Sequence, residues 1–448
     1  MDLPHHIKKI LSDSVLKTFF AACGSDSAIF LVGGAVRDGL ENKEITDLDF
    51  AINKNPEEII NQLQTQFRVI ETGISHGTVR VLLPSEAYPH LELTSFRKPS
   101  SRNEHVRGNS IEEDLSGRDF TINAIAIDVL TGKIIDPYNG QKDLKEKTLA
   151  AVGDAKDRFN EDPLRMLRAI RFGPGEKRIL TDNIKDSIML KKNLLHSVSI
   201  ERIRDELEKI LLSSDPREAF RHMASTGLLE EILPEIVPSV GFEQNDFHHE
   251  DVFEHTLTVV ERSERERILR FASLLHDIGK PDSLTIKEDG RRNFYLHEKI
   301  GAEISKKILE RLKFSSKDVS TITRLVEFHM RPVDCGPAGV RRLLRDLEDD
   351  FILWRKLKYA DSPPSEDEKT YSAKLASFDS MVHEELEKQK VPHYKKLAID
   401  GNDILALGIA FGPKIGALLK VAEDAVIENP ELNNKDALIE IVQKSIAA

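Results

Sequence analysis

The stretch FLVGGAVRDGLENKEITDLDFAI, residues 30–52, decides the fold prediction for this chain. An apolar strand runs into Gly33 and Gly34, and a later strand carries Asp47 and Asp49, one residue apart. Because side chains alternate between the two faces of a strand, these carboxylates are expected to point the same way. Neighbouring carboxylates repel each other unless a cation lies between them. The stretch therefore predicts a divalent-metal site beside a glycine turn.

The residues around the two glycines indicate nucleotidyl-transfer chemistry. Mg²⁺ binds oxygen ligands and usually takes one or two carboxylates together with substrate phosphates. Glycines let a triphosphate approach the backbone closely, and an arginine can neutralise its charge. We therefore predict that Mg²⁺ binds at two catalytic residues, Asp47 and Asp49. The predicted nucleotide-binding residues of this segment are Gly33, Gly34 and Arg37.

Composition limits the classes of protein that fit. The chain has 448 residues, enough for roughly two to four domains. No apolar run reaches the roughly 18 residues of a membrane span, and the N-terminus lacks a signal peptide's apolar core. Cys23 and Cys335 are the only cysteines, which indicates a reducing compartment. We expect a cytoplasmic protein without a membrane partner.

The distribution of charge along the chain bears on whether and how it binds nucleic acid. A net charge of −12 argues against a protein that coats nucleic acid indiscriminately, because such binding needs many contacts between cations and phosphates. Between Lys156 and Lys192, however, ten Lys or Arg residues stand against six Asp or Glu residues. This segment is either a solvated helix face or a local surface for RNA.

The pattern of the chain changes near residue 151. Before it, an amphipathic helix is expected over about residues 1–25, and short β-rich runs then alternate with turns, as in a mixed α/β domain. In one of these runs Glu92 and Thr94 share a face, so that a third carboxylate can join the first two. After residue 151 the pattern is helical. The predicted domains are a head at 1–150, a helical neck at 151–240, a metal-binding region at 241–365 and a helical tail at 366–448.

Four segments resemble, in order, the motifs of one family. They are GGAVRD with DLDF, EEDLSGRDFTINAIAID (112–128), DPYNGQKDL (136–144) and EDPLRMLRAIRF (161–172). On these motifs the chain is similar to the class II tRNA nucleotidyltransferase and bacterial poly(A) polymerase family, over about residues 28–240 and more loosely beyond. The resemblance implies an α/β polymerase-β-type nucleotidyltransferase head followed by an all-α neck, an HD domain and a tail, mostly helical overall.

The second motif carries the residues expected around the sugar and the triphosphate. By resemblance, Asp119 would contact the ribose hydroxyl, with Arg118 and Asn123 near the sugar and phosphates. The family usually has two arginines before DFTINA, and the first of them is Gly117 here. One contact to phosphate, or to the packing of the motif, is therefore in question.

The fourth motif is expected to form a helix on which Asp162 and Arg165 share a face that Arg168 continues. The resemblance implies that Asp162 and Arg165 pair with the edge of cytosine or adenine. All three are predicted nucleotide-binding residues, and base choice would come from side chains rather than from a nucleic-acid template. The alternative is an ordinary ion pair on a packed helix surface.

The resemblance implies an enzyme that extends the tRNA 3′ end with CTP and ATP. Three alternatives stay open. The segment RKPSSRNEHVRGN (97–109) looks shorter than the flexible loop of enzymes that add all three nucleotides, which favours addition of two cytidines only. A poly(A) polymerase is disfavoured because the tail after residue 365 is not basic overall. An inactive RNA-binding or metabolite-sensing module is disfavoured by the intact pair of aspartates.

Histidines and aspartates also recur along the third region. On successive helices they are the usual ligands of a divalent or transition metal, although a single histidine is often an ordinary core residue. FASLLHDIGKP (271–281) resembles the central motif of HD phosphohydrolase domains. By that resemblance a second divalent metal, used for phosphoester hydrolysis, would have four ligands: His255, His276, Asp277 and Asp361. His297 and His329 are candidates for another metal or for the substrate phosphate; the alternative is a structural body for tRNA.

Overall fold

The computed structural model describes residues 3–71, 74, 77–98, 107–244, 250–289, 291–362, 368–389 and 397–447. The chain forms two compact units, Met1–Val237 with Arg311–Lys313, and Pro238–Glu310 with Phe314–Ala448. A mixed α/β sheet region is followed by largely helical regions, so the predicted fold class is confirmed. Of the loop segment 97–109, residues 99–106 lie outside the described residues.

The first unit holds a seven-stranded sheet with helices around it. Its strands and those of a small neighbouring sheet are β1 Ile29–Val32, β2 Asp49–Ile52, β3 Arg68–Ile70, β4 Thr78–Leu82, β5 His90–Ser95, β6 Ala126–Asp128, β7 Ile134–Ile135, β8 Thr148–Leu149 and β9 Ile179–Leu180. Its helices are α1 His5–Ser12, α2 Ser14–Ala22, α3 Gly34–Leu40, α4 Pro56–Leu63, α5 Ile111–Ser116, α6 Gly140–Glu146, α7 Ala155–Glu161, α8 Arg165–Phe172, α9 Asp182–Lys191, α10 Ile200–Leu211, α11 Pro216–Thr226 and α12 Leu228–Ile232.

The strand order β3-β4-β5-β2-β1-β6-β7 places β2 between β5 and β1. β2 runs parallel to β5, and in their register Asp49 lies opposite Glu92. Along β5 the side chains of Leu91 and Leu93 are buried, while those of Glu92 and Thr94 lie on the other face, as the two-residue period of a strand requires. The register therefore brings the expected third carboxylate beside the first site.

The N-terminal segment differs from its prediction. The prediction of one helix over about residues 1–25 is wrong, because α1 ends at Ser12 and a second helix, α2, begins at Ser14. Asp13 between them has an extended backbone (φ −61°, ψ 132°), and its carboxylate accepts hydrogen bonds from the backbone N–H groups of Val15 and Leu16 at 2.9 and 3.0 Å. An aspartate at this position satisfies the first free N–H groups of a new helix, which explains the break.

Over its described residues, the second unit is helical apart from a short hairpin, β10 Leu284–Ile286 with β11 Arg292–Phe294. Its helices are α13 Val252–Arg262, α14 Arg267–Leu275, α15 His297–Arg311, α16 Ser316–Phe328, α17 Pro337–Leu347, α18 Phe351–Ala360, α19 Glu368–Gln389, α20 Gly401–Ala406, α21 Pro413–Glu428 and α22 Lys435–Ala447. The apolar helix α14 packs against α13, α16 and α18. Within the described ranges, no helix has both the length and the apolar character needed to cross a bilayer.

Candidate active site and metal centre

A cavity of about 800 Å³ lies in the first unit. Residues from β2, β5, α3, α8 and α10 line it. The structure brings together there every residue predicted for catalysis or nucleotide binding, and their roles stay predictions. These lining residues are Gly33, Gly34, Arg37, Asp47, Asp49, Arg118, Asp119, Asn123, Asp162, Arg165 and Arg168.

Three carboxylates lie at one side of this cavity. Asp49 opens β2, Glu92 lies opposite it on β5, and Asp47 comes two residues before Asp49. Leu48 between the two aspartates is buried, so the expected alternation of faces is present although the strand itself begins at Asp49. Burial raises the pKa of Asp49, and the charges of Glu92 and Asp47 add to the increase. Carboxylates that repel one another in this way are a donor set that fits a divalent cation.

Gly33 provides the space beside these carboxylates. Its backbone has a positive φ of 68°, which side chains other than glycine rarely adopt. A Cβ atom there would lie 3.2 Å from Nη1 of Arg118 and 3.7 Å from Oδ2 of Asp49. Helix α3 follows directly at Gly34 and carries Arg37 into the cavity. The turn therefore leaves room for a phosphate chain between an arginine and the carboxylates of the cavity.

Asp119 is buried and connects the head to α8. Its Oδ1 atom accepts hydrogen bonds from the Phe120 backbone N–H at 2.9 Å and from the Asn123 amide at 3.0 Å. Its Oδ2 atom accepts from the Arg168 guanidinium, with Nε at 2.7 Å and Nη2 at 2.6 Å. Arg37 in turn donates to Oδ1 of Asn123 at 2.9 Å. Four of the predicted nucleotide-binding side chains, Arg37, Asp119, Asn123 and Arg168, are therefore held in one network.

Electrostatics keeps the Asp119 carboxylate ionised. Burial alone would raise the pKa of Asp119, but the Arg168 charge, the Asn123 hydrogen bond and the Arg165 charge outweigh it and lower the pKa to about 2. A carboxyl with a lowered pKa stabilises the fold above its unfolded pKa near 3.8, and that contribution is lost as the pH falls through the folded value.

We expect the substitution Asp119→Asn to destabilise the protein in a pH-dependent way. At neutral pH the variant should be less stable by about 2 kcal/mol, the stability linked to the lowered pKa. The difference in unfolding free energy between wild type and variant, here called the gap, should narrow as the pH falls from about 4 to about 2, because Asp119 in the wild type takes up a proton in this range. Urea unfolding of the full chain at several pH values measures the gap. A gap that stays constant over this range would show that the Asp119 charge does not carry the contribution.

The expected helix of the fourth motif begins later than predicted. α7 ends at Glu161, Asp162 has an extended backbone (φ −145°, ψ 102°), and α8 starts at Arg165. Pro163 explains the break, because a proline disfavours the helical conformation of the residue before it. The prediction that Asp162 lies within the helix is wrong, although its side chain still lines the cavity together with Arg165 and Arg168.

The backbone of Gly117 contacts the side chain of Arg165. The Arg165 guanidinium donates to the carbonyl oxygen of Gly117 at 2.9 Å and to Oε2 of Glu161 at 2.8 Å. The other oxygen of Glu161 lies 2.7 Å from Nη2 of Arg158, whose Nη1 donates to the Ser116 carbonyl at 3.0 Å. The backbone oxygen of Gly117 therefore holds Arg165, a contact that does not depend on the side chain at position 117.

Several side chains that line the cavity were not predicted from the sequence, among them Arg171, Arg202 and the Phe172 ring. The guanidinium carbons of Arg37, Arg168 and Arg171 lie 4.7, 5.1 and 3.9 Å from the centre of the Phe172 ring. Arg202 lines the cavity from α10. Arg171 and Phe172 belong to the fourth motif, so the sequence could have indicated them as site residues. Arg202 lies in none of the four motifs. These guanidinium groups are donors of the kind that bind phosphate oxygens.

A second cluster lies inside the second unit. His255, His276, Asp277, His297 and His329 are all buried. One oxygen of Asp277, Oδ2, lies 3.5 Å from Nε2 of His255 and 3.2 Å from Nε2 of His276. Asp361 closes this side, with Oδ1 at 3.2 and 3.5 Å from the same two nitrogens. The structure therefore brings together the four predicted ligands.

The other oxygen of Asp277 faces the two remaining histidines. Oδ1 lies 3.3 Å from Nε2 of His297 and 3.6 Å from Nε2 of His329, and the two Nε2 atoms are 3.2 Å apart. Asp277 thus belongs to both groups of residues whose atoms lie close enough to share a metal ion.

The orientation of the rings fits metal binding. Nδ1 of His276, His297 and His329 lies 2.8, 2.7 and 2.6 Å from the backbone carbonyls of Ser273, Phe294 and Val326. A proton on Nδ1 that is donated to a carbonyl leaves Nε2 as the metal-binding nitrogen. Nε2 of His276 is buried and faces the carboxylates of Asp277 and Asp361.

The charges at His276 also indicate a place for a cation. Burial alone would lower the pKa of His276, but the Asp277 and Asp361 charges raise it to about 10. Lys280 already contacts Oδ2 of Asp277 at 2.6 Å. The histidine–aspartate cluster therefore fits a divalent metal, and it opens into a cavity of about 550 Å³ whose wall also carries Lys280, Arg292 and Lys358.

Comparison with known families agrees with this architecture. Three family models match: the poly A polymerase head domain at residues 29–150, a probable RNA and SrmB-binding site of polymerase A at 180–239, and the HD domain at 248–363. The fold and the first site thus define a nucleotidyltransferase of the poly(A) polymerase head type, joined to an RNA-binding region and an HD domain.

Individual relatives extend the match over most of the chain. An A-adding tRNA nucleotidyltransferase of Deinococcus radiodurans is 32% identical over 415 residues, covering 88% of this chain and 90% of that protein. A CCA-adding enzyme of Lactobacillus johnsonii is 30% identical over 428 residues, 92% of each chain. The fold is that of the Bacillus stearothermophilus CCA-adding enzyme solved with CTP (TM-score 0.71, 24% identity, 100% of this chain and 99% of that one). The chain belongs to the class II CCA-adding enzyme and poly(A) polymerase family, as the motifs predicted; this family implies a divalent metal.

Proposed function

We propose that this chain is a cytoplasmic tRNA nucleotidyltransferase that adds C and A residues to the tRNA 3′ end from CTP and ATP. The observation that carries the proposal is a single cavity that combines three acidic side chains with Asp162 and Arg165. The first group suits phosphoryl chemistry and the second suits recognition of a base. The basic segment Lys156–Lys192 is proposed as part of the tRNA surface, with domain boundaries at 150, 240 and 365.

The acidic side chains and the guanidinium groups of the cavity act on the triphosphate in different ways. Asp47 and Asp49, with Glu92 beside them, would hold Mg²⁺, which when bound supplies Lewis-acid stabilisation of the reacting phosphate. The oxygen of the tRNA 3′ hydroxyl attacks the α-phosphorus and gives up its proton to water, the bond from that phosphorus to the oxygen shared with the β-phosphorus breaks, and pyrophosphate leaves. The guanidinium groups around Phe172 stabilise the negative charge of the leaving phosphates. Gly33 leaves room for the phosphate chain.

Base choice follows from the donor and acceptor pattern of two side chains. Cytosine and adenine both present an exocyclic amino group beside a ring nitrogen that accepts a hydrogen bond. The Asp162 carboxylate can accept from the amino group, and the Arg165 guanidinium can donate to the ring nitrogen. Uracil and guanine place a carbonyl oxygen where the amino group would be, which leaves the carboxylate facing an acceptor.

The activity is tested with two tRNA substrates, one lacking CCA and one ending in CC, with CTP and ATP supplied singly and together. Sizing the products to one nucleotide should show three additions to the first tRNA. A stop after two cytidines would make the chain CC-adding and would point to residues 97–111. One adenosine on the second tRNA, with nothing added to the first, would assign the A-adding activity named for the Deinococcus relative.

The cluster around Asp277 supports a second activity, metal-dependent phosphoester hydrolysis. His255, His276, Asp277 and Asp361 would hold a divalent metal, which when bound supplies a Lewis acid for a phosphoester. His297 and His329 would hold either a further divalent ion, together with Oδ1 of Asp277, or the substrate phosphate. Lys280, Arg292 and Lys358 would orient an anionic substrate in the adjoining cavity.

A further inference from the structure

Helix α10 holds the base-recognition segment with two side chains. Arg202 and Glu206 are four residues apart, so they lie on one face of the helix. Glu206 is buried and contacts Nε of Arg171 at 2.5 Å. Nη2 of Arg202 donates to Oδ2 of Asp162 at 2.7 Å. One helix face thus contacts both ends of the segment from Asp162 to Arg171.

Asp162 depends on these contacts because the helix does not hold it. Its backbone is extended before Pro163, so the regular geometry of α8 does not set the direction of its side chain. Oδ1 accepts a hydrogen bond from the Leu164 backbone N–H at 3.2 Å, and Oδ2 accepts from Arg202. The Asp162 side chain is 16% exposed and that of Arg202 is 46% exposed. With one contact on each oxygen, the plane of the carboxylate is defined.

We propose that Arg202 is a positioning residue for base selection, acting through Asp162. The inference rests on the proposed function, in which Asp162 accepts a hydrogen bond from the amino group of cytosine or adenine. Each carboxylate oxygen has more than one acceptor direction, so Oδ2 can bond Arg202 and still face a base. Arg202 holds the carboxylate in one orientation, which faces the amino group of cytosine or adenine, and it prevents the carboxylate from turning aside to accommodate a uracil or guanine carbonyl.

The test measures selectivity rather than activity alone. For Arg202→Gln we expect the ratio of kcat/KM for CTP to that for UTP to fall about tenfold, which corresponds to about 1.4 kcal/mol of discrimination. We expect KM for CTP to rise more than kcat falls, because the contact orients a binding group. Arg202→Lys should restore part of the ratio, since lysine keeps the charge but lacks the planar donor fork.

Two further variants separate positioning from folding. Arg204→Gln changes a guanidinium on the same helix that pairs with Asp205 at 2.7 Å, and it should leave the CTP to UTP ratio unchanged. In an Asp162→Asn background, Arg202→Gln should cause no further loss of selectivity, because the two residues act as one unit. Equal losses for CTP and UTP in Arg202→Gln would show a structural role and overturn the inference. If Asp162→Asn alone leaves the CTP to UTP ratio unchanged, both the side-chain template and the role of Arg202 are overturned. If Asp162→Asn changes the ratio but Arg202→Gln does not, only the role of Arg202 is overturned.

Discussion

Replacing Asp47 or Asp49 with alanine is expected to reduce nucleotide incorporation into tRNA about a thousandfold or more. Each substitution removes one carboxylate from a set of three, and loss of a metal ligand at the reacting phosphate costs several kcal/mol of transition-state stabilisation. Asp49→Asn should cause a loss of the same order because asparagine keeps the shape but not the charge. Single-nucleotide addition to tRNA lacking CCA, measured at saturating Mg²⁺ and CTP, gives the rate.

A matched control separates the metal role from a general effect of charge. The side chain of Asp182, at the start of α9, is 94% exposed, and Asp182→Asn should leave the rate unchanged. Binding of Mn²⁺ in place of Mg²⁺, followed by its electron paramagnetic resonance signal, should weaken in the Asp47 and Asp49 variants only. Unchanged nucleotide incorporation by both alanine variants would refute the assignment of the metal to this pair.

The second large effect is expected in the HD domain. His276→Ala and Asp277→Ala should each abolish metal-dependent hydrolysis of a model phosphodiester such as bis(p-nitrophenyl) phosphate. Asp277→Ala should also lower the metal content more than His276→Ala does. One oxygen of Asp277 faces His255 and His276, and the other faces His297 and His329. Metal content of the purified protein, measured by mass spectrometry, supplies a readout that is independent of hydrolysis.

Nucleotide addition serves as the internal control for these variants. The two sites use different residues, so His276→Ala and Asp277→Ala should still extend tRNA. His383→Ala, which changes an exposed histidine on α19, should keep both metal content and hydrolysis. Equal hydrolysis by wild type and by Asp277→Ala would assign that activity to another site or to a contaminant, and unchanged metal content would exclude this cluster as the metal centre.

Some features of the candidate sites were predictable because their signals are local. The two-residue period of a strand predicts that Asp47 and Asp49 share a side, and the buried Leu48 between them agrees. The same locality also misled the prediction twice. Helical periodicity continued across Asp13 and Asp162, where a side-chain cap and a following proline, respectively, interrupt the helix.

By itself the sequence determined the family and the fold class, and it identified the acidic residues and histidines of the two candidate sites together with part of their basic residues. Only the tertiary structure decided how they meet. Arg168 reaches Asp119 across 49 positions, Arg202 reaches Asp162 across 40, and Asp361 reaches His255 across 106. Periodicity and motif spacing describe neighbours along the chain, whereas these contacts depend on strand register and helix packing between distant segments. For that reason Arg202, which lies in no quoted motif, emerged only from the fold.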